Sequence, residues 1–177
     1  VDAAEREKKG GQAFYSCLEY NSEIYFGSDN GRVWCYQKEN GQFQLQNLPA
    51  SSRIVSINSV EGNELIFTTA KDGFFSYQPK TKAIEHFPAS RFPNASIHSV
   101  YVDKASEVWF EQHIPGTVVH FNPRTRILKQ EKVPVEPTST DRSRPAFHIH
   151  EDINGVLWVH PYGGGFSYFD RKSNSLH

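Results

Sequence analysis

The sequence predicts an all-β chain of about four four-stranded antiparallel blades, an open portion of a β-propeller, and three observations carry that reading. First, the stretch Ile153 to Asp170, INGVLWVHPYGGGFSYFD, has three diverged copies upstream: EIYFGSDNGRVWCY from Glu23, ELIFTTAKDGFFSY from Glu64 and EVWFEQHIPGTVVHF from Glu107. Aligned on Ile24, Leu65, Val108 and Leu157, the copies lie 41, 43 and 49 residues apart, and a closing aromatic (Tyr36, Tyr77, Phe121, Phe169) follows each anchor by 12, 12, 13 and 12. Spacing that holds within a unit and drifts between units means constant strands and variable loops. Second, each unit carries turn signals for four short strands, and units of ~40 to 45 residues have the dimensions of a propeller blade. Third, Leu65-Ile66-Phe67, Phe74-Phe75 and Val108-Trp109-Phe110 are apolar on consecutive residues, so both faces of each sheet must be covered. Stacked blades do that. An irregular four-hairpin β protein is the plainer alternative.

Residues 1–12 are polar and charged and end in Gly-Gly, which reads as a lead-in or linker ahead of a repeat region 13–177. The blades fall at about 13–53, 54–96, 97–146 and 147–177, the last incomplete. In the first, Ala13 to Tyr20 is an aromatic-rich strand, Ile24 to Gly27 the second, and Asp29-Asn30-Gly31 supplies the positive φ of a tight hairpin before Val33 to Gln37. Gln42 to Leu48 is a weaker fourth strand. The second blade reads Ile54 to Val60, Glu64 to Thr69, Phe74 to Tyr77 and Lys82 to Phe87, with Lys71-Asp72-Gly73 as its hairpin corner. The third runs from Ile97 to Leu128 around a Pro115-Gly116 corner. Its exit, Lys129 to Ala146, is a proline-rich, basic connection, and loops over ~12 to 15 residues tend to be functional or disordered. Phe147 opens the fourth.

A formal net charge of -1 and a pI near 6.8 provide no long-range field toward nucleic acid or an anionic membrane, so a polyanion partner would need a local basic patch. No apolar run approaches the roughly 20 residues that span a bilayer, and residues 1–12 lack the apolar core of a signal peptide. The chain opens on Val1 and contains no methionine, which reads as a fragment or processed product. Cys17 and Cys35 fall on strands separated by a third, roughly 9 to 10 Å apart, beyond disulfide reach, so two free, packed thiols are expected. Trp34, Trp109 and Trp158 lie in strands, where inter-blade core is their expected role.

The fourth copy resembles the two-component regulator propeller repeat: Glu151-Asp152, Gly155, Leu157-Trp158, Gly164-Gly165 and Phe169-Asp170 match its hallmark. The third keeps Val108-Trp109, the second Asp72-Gly73 and Tyr77, and the first is the most diverged. The resemblance covers residues 13 to 177. It implies a periplasmic location, in the extracytoplasmic sensor of a hybrid two-component system of the kind gut Bacteroidetes use for oligosaccharides from complex glycans. Kinase activity would then lie outside this region, which would act by binding and not as an enzyme. The open sheet faces at the two ends should pair with a second copy in a homodimer or be covered by missing blades.

No nucleophile elbow, HExxH or GxxxxGK is present, and the Gly163-Gly164-Gly165 run joins two strands, which excludes phosphate binding at a helix terminus. No catalytic residue and no cofactor is assigned. His148 and His150 share a strand face with His160 on the next strand, a metal arrangement lacking a fourth ligand, so no metal is assigned; packed or hydrogen-bonded histidines are the plain reading for these and for His113 and His120. In four-stranded blades the corners joining strands two and three emerge on the same rim as the blade-to-blade connections. The first set includes Asp29, Lys71, His113, His160 and Tyr162, the second Arg91, Phe92, Arg142 and Arg144. Such groups around a mouth suit sugar rings, uronates and sulfates by stacking and charge-assisted hydrogen bonds, against a plain reading as solvated loop decoration. The alternatives are a propeller lyase or hydrolase using rim histidines, and a pure protein-interaction propeller.

Overall fold

A computed structural model describes residues 13–92, 97–112, 117–133, 147–161 and 165–177. Four antiparallel four-stranded sheets follow one another in chain order, each a simple meander. Blade one comprises β1 (Phe14–Tyr20), β2 (Glu23–Ser28), β3 (Val33–Gln37) and β4 (Gln42–Gln46). Blade two comprises β5 (Ile54–Val60), β6 (Glu64–Thr69), β7 (Gly73–Gln78) and β8 (Ala83–Pro88), followed by a single 3-10 turn, Ala89–Arg91. Blade three holds β9 (Ile97–Val102), β10 (Val108–Gln112), β11 (Thr117–Asn122) and β12 (Ile127–Lys132). Blade four holds β13 (Phe147–Glu151), β14 (Leu157–Pro161), β15 (Ser167–Asp170) and β16 (Ser175–Leu176). The basic stretch after Leu128 therefore begins as strand: Lys129 to Lys132 pairs with β11 through His120↔Lys129 and Thr117↔Lys132.

Period-two alternation gives every blade a forward face toward the next blade and a rear face toward the previous one. At the first junction, Tyr25, Val33 and Cys35 of blade one meet Ile57, Leu65, Phe67, Phe75 and Tyr77 of blade two. The second junction sets Ile66, Phe74 and Phe87 against Val108, Phe110, Val119 and Phe121. The third sets Trp109 and Val118 against Phe147, Leu157, Val159 and Phe169. Because both faces are covered, every residue of β6 and β10 is buried, which explains their unbroken apolar runs.

The turns recur with the strands. The residue five after each closing aromatic, Gly41, Lys82, Arg126 and Asn174, takes a left-handed backbone, with φ of 70°, 59°, 62° and 54°. At Gly73, φ is +89° and an added Cβ would lie 2.1 Å from the Phe87 carbonyl oxygen, so this first residue of β7 admits no side chain. Both cysteines are free thiols, but only Cys35 is packed. Cys17 pairs with Phe26 on the rear face of blade one, where no described residue covers it. The same geometry corrects the reading of the tryptophans. Trp109 is fully buried between blades three and four, whereas Trp34 and Trp158 occupy the rear face of blade one and the forward face of blade four and are only partly buried.

Candidate functional site

The rim formed by the β2–β3, β6–β7 and β14–β15 corners and the blade-to-blade connections carries the described members of the predicted binding set: Asp29, Lys71, Arg91 and His160, all exposed. His113, Arg142, Arg144 and Tyr162 lie outside the described residues. Asp29 is the first corner residue after β2, and its backbone N–H donates to the Ala13 carbonyl at 3.0 Å. Lys71 is held by its backbone, whose N–H donates to Ser52 Oγ at 3.0 Å, leaving the ammonium outward. The Arg91 guanidinium lies 5.3 Å from the centre of the Phe87 ring, a cation–π contact against the outer strand of blade two. His160 Nδ1 sits 2.9 Å from the Gly165 carbonyl oxygen across its hairpin. Phe92, predicted with this set, is buried among Phe74 and Phe110 and belongs to the core.

Beneath the exposed groups, Asp72 fixes the shape of the rim. Its carboxylate accepts from the backbone N–H and hydroxyl of both Ser51 and Ser52, at 2.8 to 2.9 Å, tying the hairpin corner of blade two to the connection entering it. Burial raises the Asp72 carboxyl, but the hydrogen bonds from Ser52 and Ser51 outweigh it and hold its pKa below the usual value. Asp72 and Gly73 were legible as a turn. The two serines carried no signal, because their distance in sequence hides the contact.

Among the described residues, the opposite rim holds the arginine–carboxylate pairs that cross between blades. Asp103 Oδ2 accepts from Trp109 Nε1 at 2.8 Å while Oδ1 accepts from the N–H groups of Ala105 and Glu107. Asp152 repeats this with Trp158 Nε1 at 3.0 Å and the N–H groups of Asn154 and Val156. The aspartate six residues before a tryptophan is thus a device that closes the corner and orients the indole, which makes the Asp152 and Trp158 matches structural. Arg171 reaches from blade four to Asp103 at 3.0 Å and also meets Glu151 at 3.3 Å; Arg126 reaches from blade three to Glu64 at 2.7 Å and also pairs with Glu85. None of these clasps was foreseen, and the recurring basic residue after each closing aromatic was the available clue. His120, 3% exposed, stacks on Trp109 with ring centroids 4.3 Å apart, between Glu107 at 3.7 Å and Glu131 at 3.8 Å. Its proximity is the main reason the Glu107 carboxyl lies below its usual pKa.

Two clefts formed by described residues, of about 340 and 210 Å³, lie at the second rim, one beside Glu23, Lys38 and Glu39, the other beside Glu85 and Arg126; neither includes a predicted binding residue. His148 and His160 face each other across β13 and β14, with Glu111 3.8 Å from His148. Among the described residues no three His, Cys, Asp or Glu side chains converge to hold a metal ion.

No protein-family model matches the chain, and no curated protein matches it by sequence. Solved structures do match. The extracellular domain of a one-component system from B. thetaiotaomicron superposes with a TM-score of 0.67 at 15% identity, over 93% of this chain and 22% of that one. The extracellular domain of a hybrid two-component system from the same organism superposes at 0.63 and 14% identity, over 93% and 23%. Virginiamycin B lyase from Staphylococcus aureus, in a structure with quinupristin, superposes at 0.70 and 10% identity, over 94% and 55%. The likeness shows the fold: a partial propeller. The chain spans about a fifth of the length of the two extracellular domains.

Proposed function

We propose that these blades are a ligand-binding part of the extracytoplasmic sensor of a hybrid two-component signalling protein, and that the ligand is an oligosaccharide or another glycan-derived signal. The observation that supports this reading is the superposition of 93% of the chain on extracellular domains of two bacterial signalling systems. The rim contributes to it. Lys71, Arg91 and His160 offer donors for carboxylate or sulfate groups, and Asp29 accepts from sugar hydroxyls. His113, Arg142, Arg144 and Tyr162 are proposed as further members of the same set. Ligand spanning two blade corners would bias the angle between blades, and the signalling step would follow in parts of the protein outside these residues.

Titrating the chain with neutral, uronate-containing and sulfated oligosaccharides tests this by calorimetry and thermal shift. A raised Tm with one class, reduced by Lys71→Ala or His160→Ala, is the expected result; unchanged melting with every glycan overturns the reading. An enzyme is the second reading, favoured by the TM-score of 0.70 against virginiamycin B lyase. It predicts loss of intact quinupristin, followed by mass spectrometry, on incubation with the chain.

A further inference from the structure

In the first two blades, the acidic residue that precedes the anchor receives a hydrogen bond from the forward face of its own sheet. Tyr25 Oη donates to Glu23 at 2.5 Å in blade one, and Ser76 Oγ donates to Glu64 in blade two. In blade three the position of Glu64 is Glu107, and the position of Ser76, one residue before the closing aromatic, is His120. His120 Nδ1 lies 3.7 Å from Glu107. The other side of the ring departs from the repeat. Glu131 pairs with Val118 across β11 and β12 at the register where Phe87 pairs with Phe74, so a carboxylate stands where blade two places a buried ring. That carboxylate lies 3.8 Å from His120 Nε2, and both ring nitrogens are buried without a hydrogen bond.

Hydrogen-bond stoichiometry distinguishes the two charge states of this ring. Neutral imidazole carries one N–H and one lone pair, so with a carboxylate beside each nitrogen the lone pair must face one of them. Imidazolium carries an N–H for each. The cations nearby do not substitute for that proton. Lys129, opposite His120 on β12, pairs with Glu131, and Arg171 of blade four lies 3.8 Å from Glu107 but nearer to Asp103 and Glu151, at 3.0 and 3.3 Å. Among the described residues, four carboxylates (Asp103, Glu107, Glu131 and Glu151) are therefore set against two fixed cations, and a charge on His120 offsets part of the excess. Trp109 stacks on the ring at 4.3 Å, and Phe169 of blade four meets it edge-on at 5.3 Å. Both flanking carboxylates also lead on to blade four, Glu107 through Arg171 and Glu131 through Lys129, whose ammonium donates to the Asn174 carbonyl.

We propose that His120 is a proton-controlled lock on the junction of blades three and four: with a proton on each ring nitrogen it bridges Glu107 and Glu131 and holds the network that reaches Arg171 and Asn174, and loss of one proton releases it. A lone pair then faces a carboxylate, the two move apart, and the edge of the junction opens to water. The sign follows from the charge. The protonated ring is the one that both carboxylates favour, so the lock is set on the acid side of the ordinary imidazole range, about pH 6.5, and is lost as the pH rises through it. Glu107 stays ionised across that window, because its carboxyl lies below its usual range, chiefly through His120. The junction of blades two and three has Ser76 at this position and no titrating ring, so it is an internal reference.

The test is amide hydrogen exchange of the chain, followed by mass spectrometry between about pH 5.5 and 8.5 and corrected for the intrinsic rise of exchange with pH. Across that range the protection of β13, β14 and β15 is expected to fall about tenfold relative to β5 to β8. His120→Gln has no titrating group and should show no such slope. Glu131→Gln should also lose the slope, since its amide can donate to a ring lone pair or accept from a ring N–H, and it should keep blade four protected at the alkaline end. That recovery separates the lock from packing, because a ring that only fills space would leave the slope in Glu131→Gln unchanged. Either variant suffices, so misfolding of one leaves the test intact. A wild-type blade four whose protection stays level with blade two, or rises with pH, overturns the proposal. So does a slope that persists in either variant.

Discussion

The junction between blades two and three and the junction between blades three and four each carry an arginine clasp at one edge, Arg126 with Glu64 and Arg171 with Asp103, but fill their centres with opposite chemistry. In the first, Phe74 stacks on Phe87 at 4.4 Å and contacts Phe92, Phe110 and Phe121, an aromatic cluster with no polar member. In the second, Trp109 and His120 occupy the centre, and Asp103, Glu151, Arg171, Tyr101 and Glu111 clasp its edges, Glu111 accepting from the Ile149 N–H at 3.0 Å. Apolar burial is non-directional and fixes only how closely blades approach, whereas a hydrogen-bonded clasp fixes their register. One sheet geometry thus accommodates either, and it does so even though His120, at the centre of the polar junction, has both ring nitrogens buried without a hydrogen bond, with Glu107 at 3.7 Å and Glu131 at 3.8 Å.

The comparison can be broken from its stronger side first. Phe74→Ala should destabilise the fold by about 3–5 kcal/mol, since the ring is fully buried and its neighbours cannot collapse into the gap; urea denaturation reads it. Asp103→Ala removes the acceptor for Trp109 Nε1 and for two backbone amides and leaves Arg171 with Glu151 as its nearest carboxylate, with an expected loss of about 3 kcal/mol. The two changes should add nearly independently, because they sit at different junctions. If Asp103→Ala proves silent, the clasp contributes register and no stability.

Away from both junctions the effects shrink. Asp72→Ala should cost about 1–2 kcal/mol through four lost hydrogen bonds. Because the folded pKa of Asp72 is depressed, its contribution is fully present above the unfolded value of about 3.9 and is lost as pH falls through the folded one. The wild type should therefore lose stability on acidification faster than Asp72→Ala does, which denaturation midpoints between neutral and acid pH would show. The smallest change has the opposite sign. Lys82→Gly relieves a left-handed backbone at φ 59° and should stabilise by about 0.5–1 kcal/mol, less what the contact of Lys82 with the Tyr77 ring contributes.

Most of the architecture was legible because a repeated unit states its strand pattern four times. The anchors, closing aromatics and Asp72-Gly73 corner could be read by alignment within one chain, and consecutive burial in β6 and β10 follows from their apolar runs. What could not be read was partnership. Arg126 with Glu64, Arg171 with Asp103, and Asp72 with Ser51 and Ser52 pair residues far apart in sequence, and nothing local distinguishes a clasp from a solvated charge. Cys17, Trp34 and Trp158 were expected in the core for the same reason: burial belongs to a position only when another blade stands opposite it.

By itself, then, the sequence determined the all-β class, the four-strand blade and its turns, since these depend on period-two patterning and on residues that accept positive φ. Only the tertiary structure decided which face of each blade is covered and which charges meet across a junction. It also separated the rim bearing Asp29, Lys71, Arg91 and His160 from the rim bearing the clasps. Those outcomes depend on how neighbouring sheets stack, and stacking brings together side chains some forty to seventy residues apart whose spacing carries no local signal.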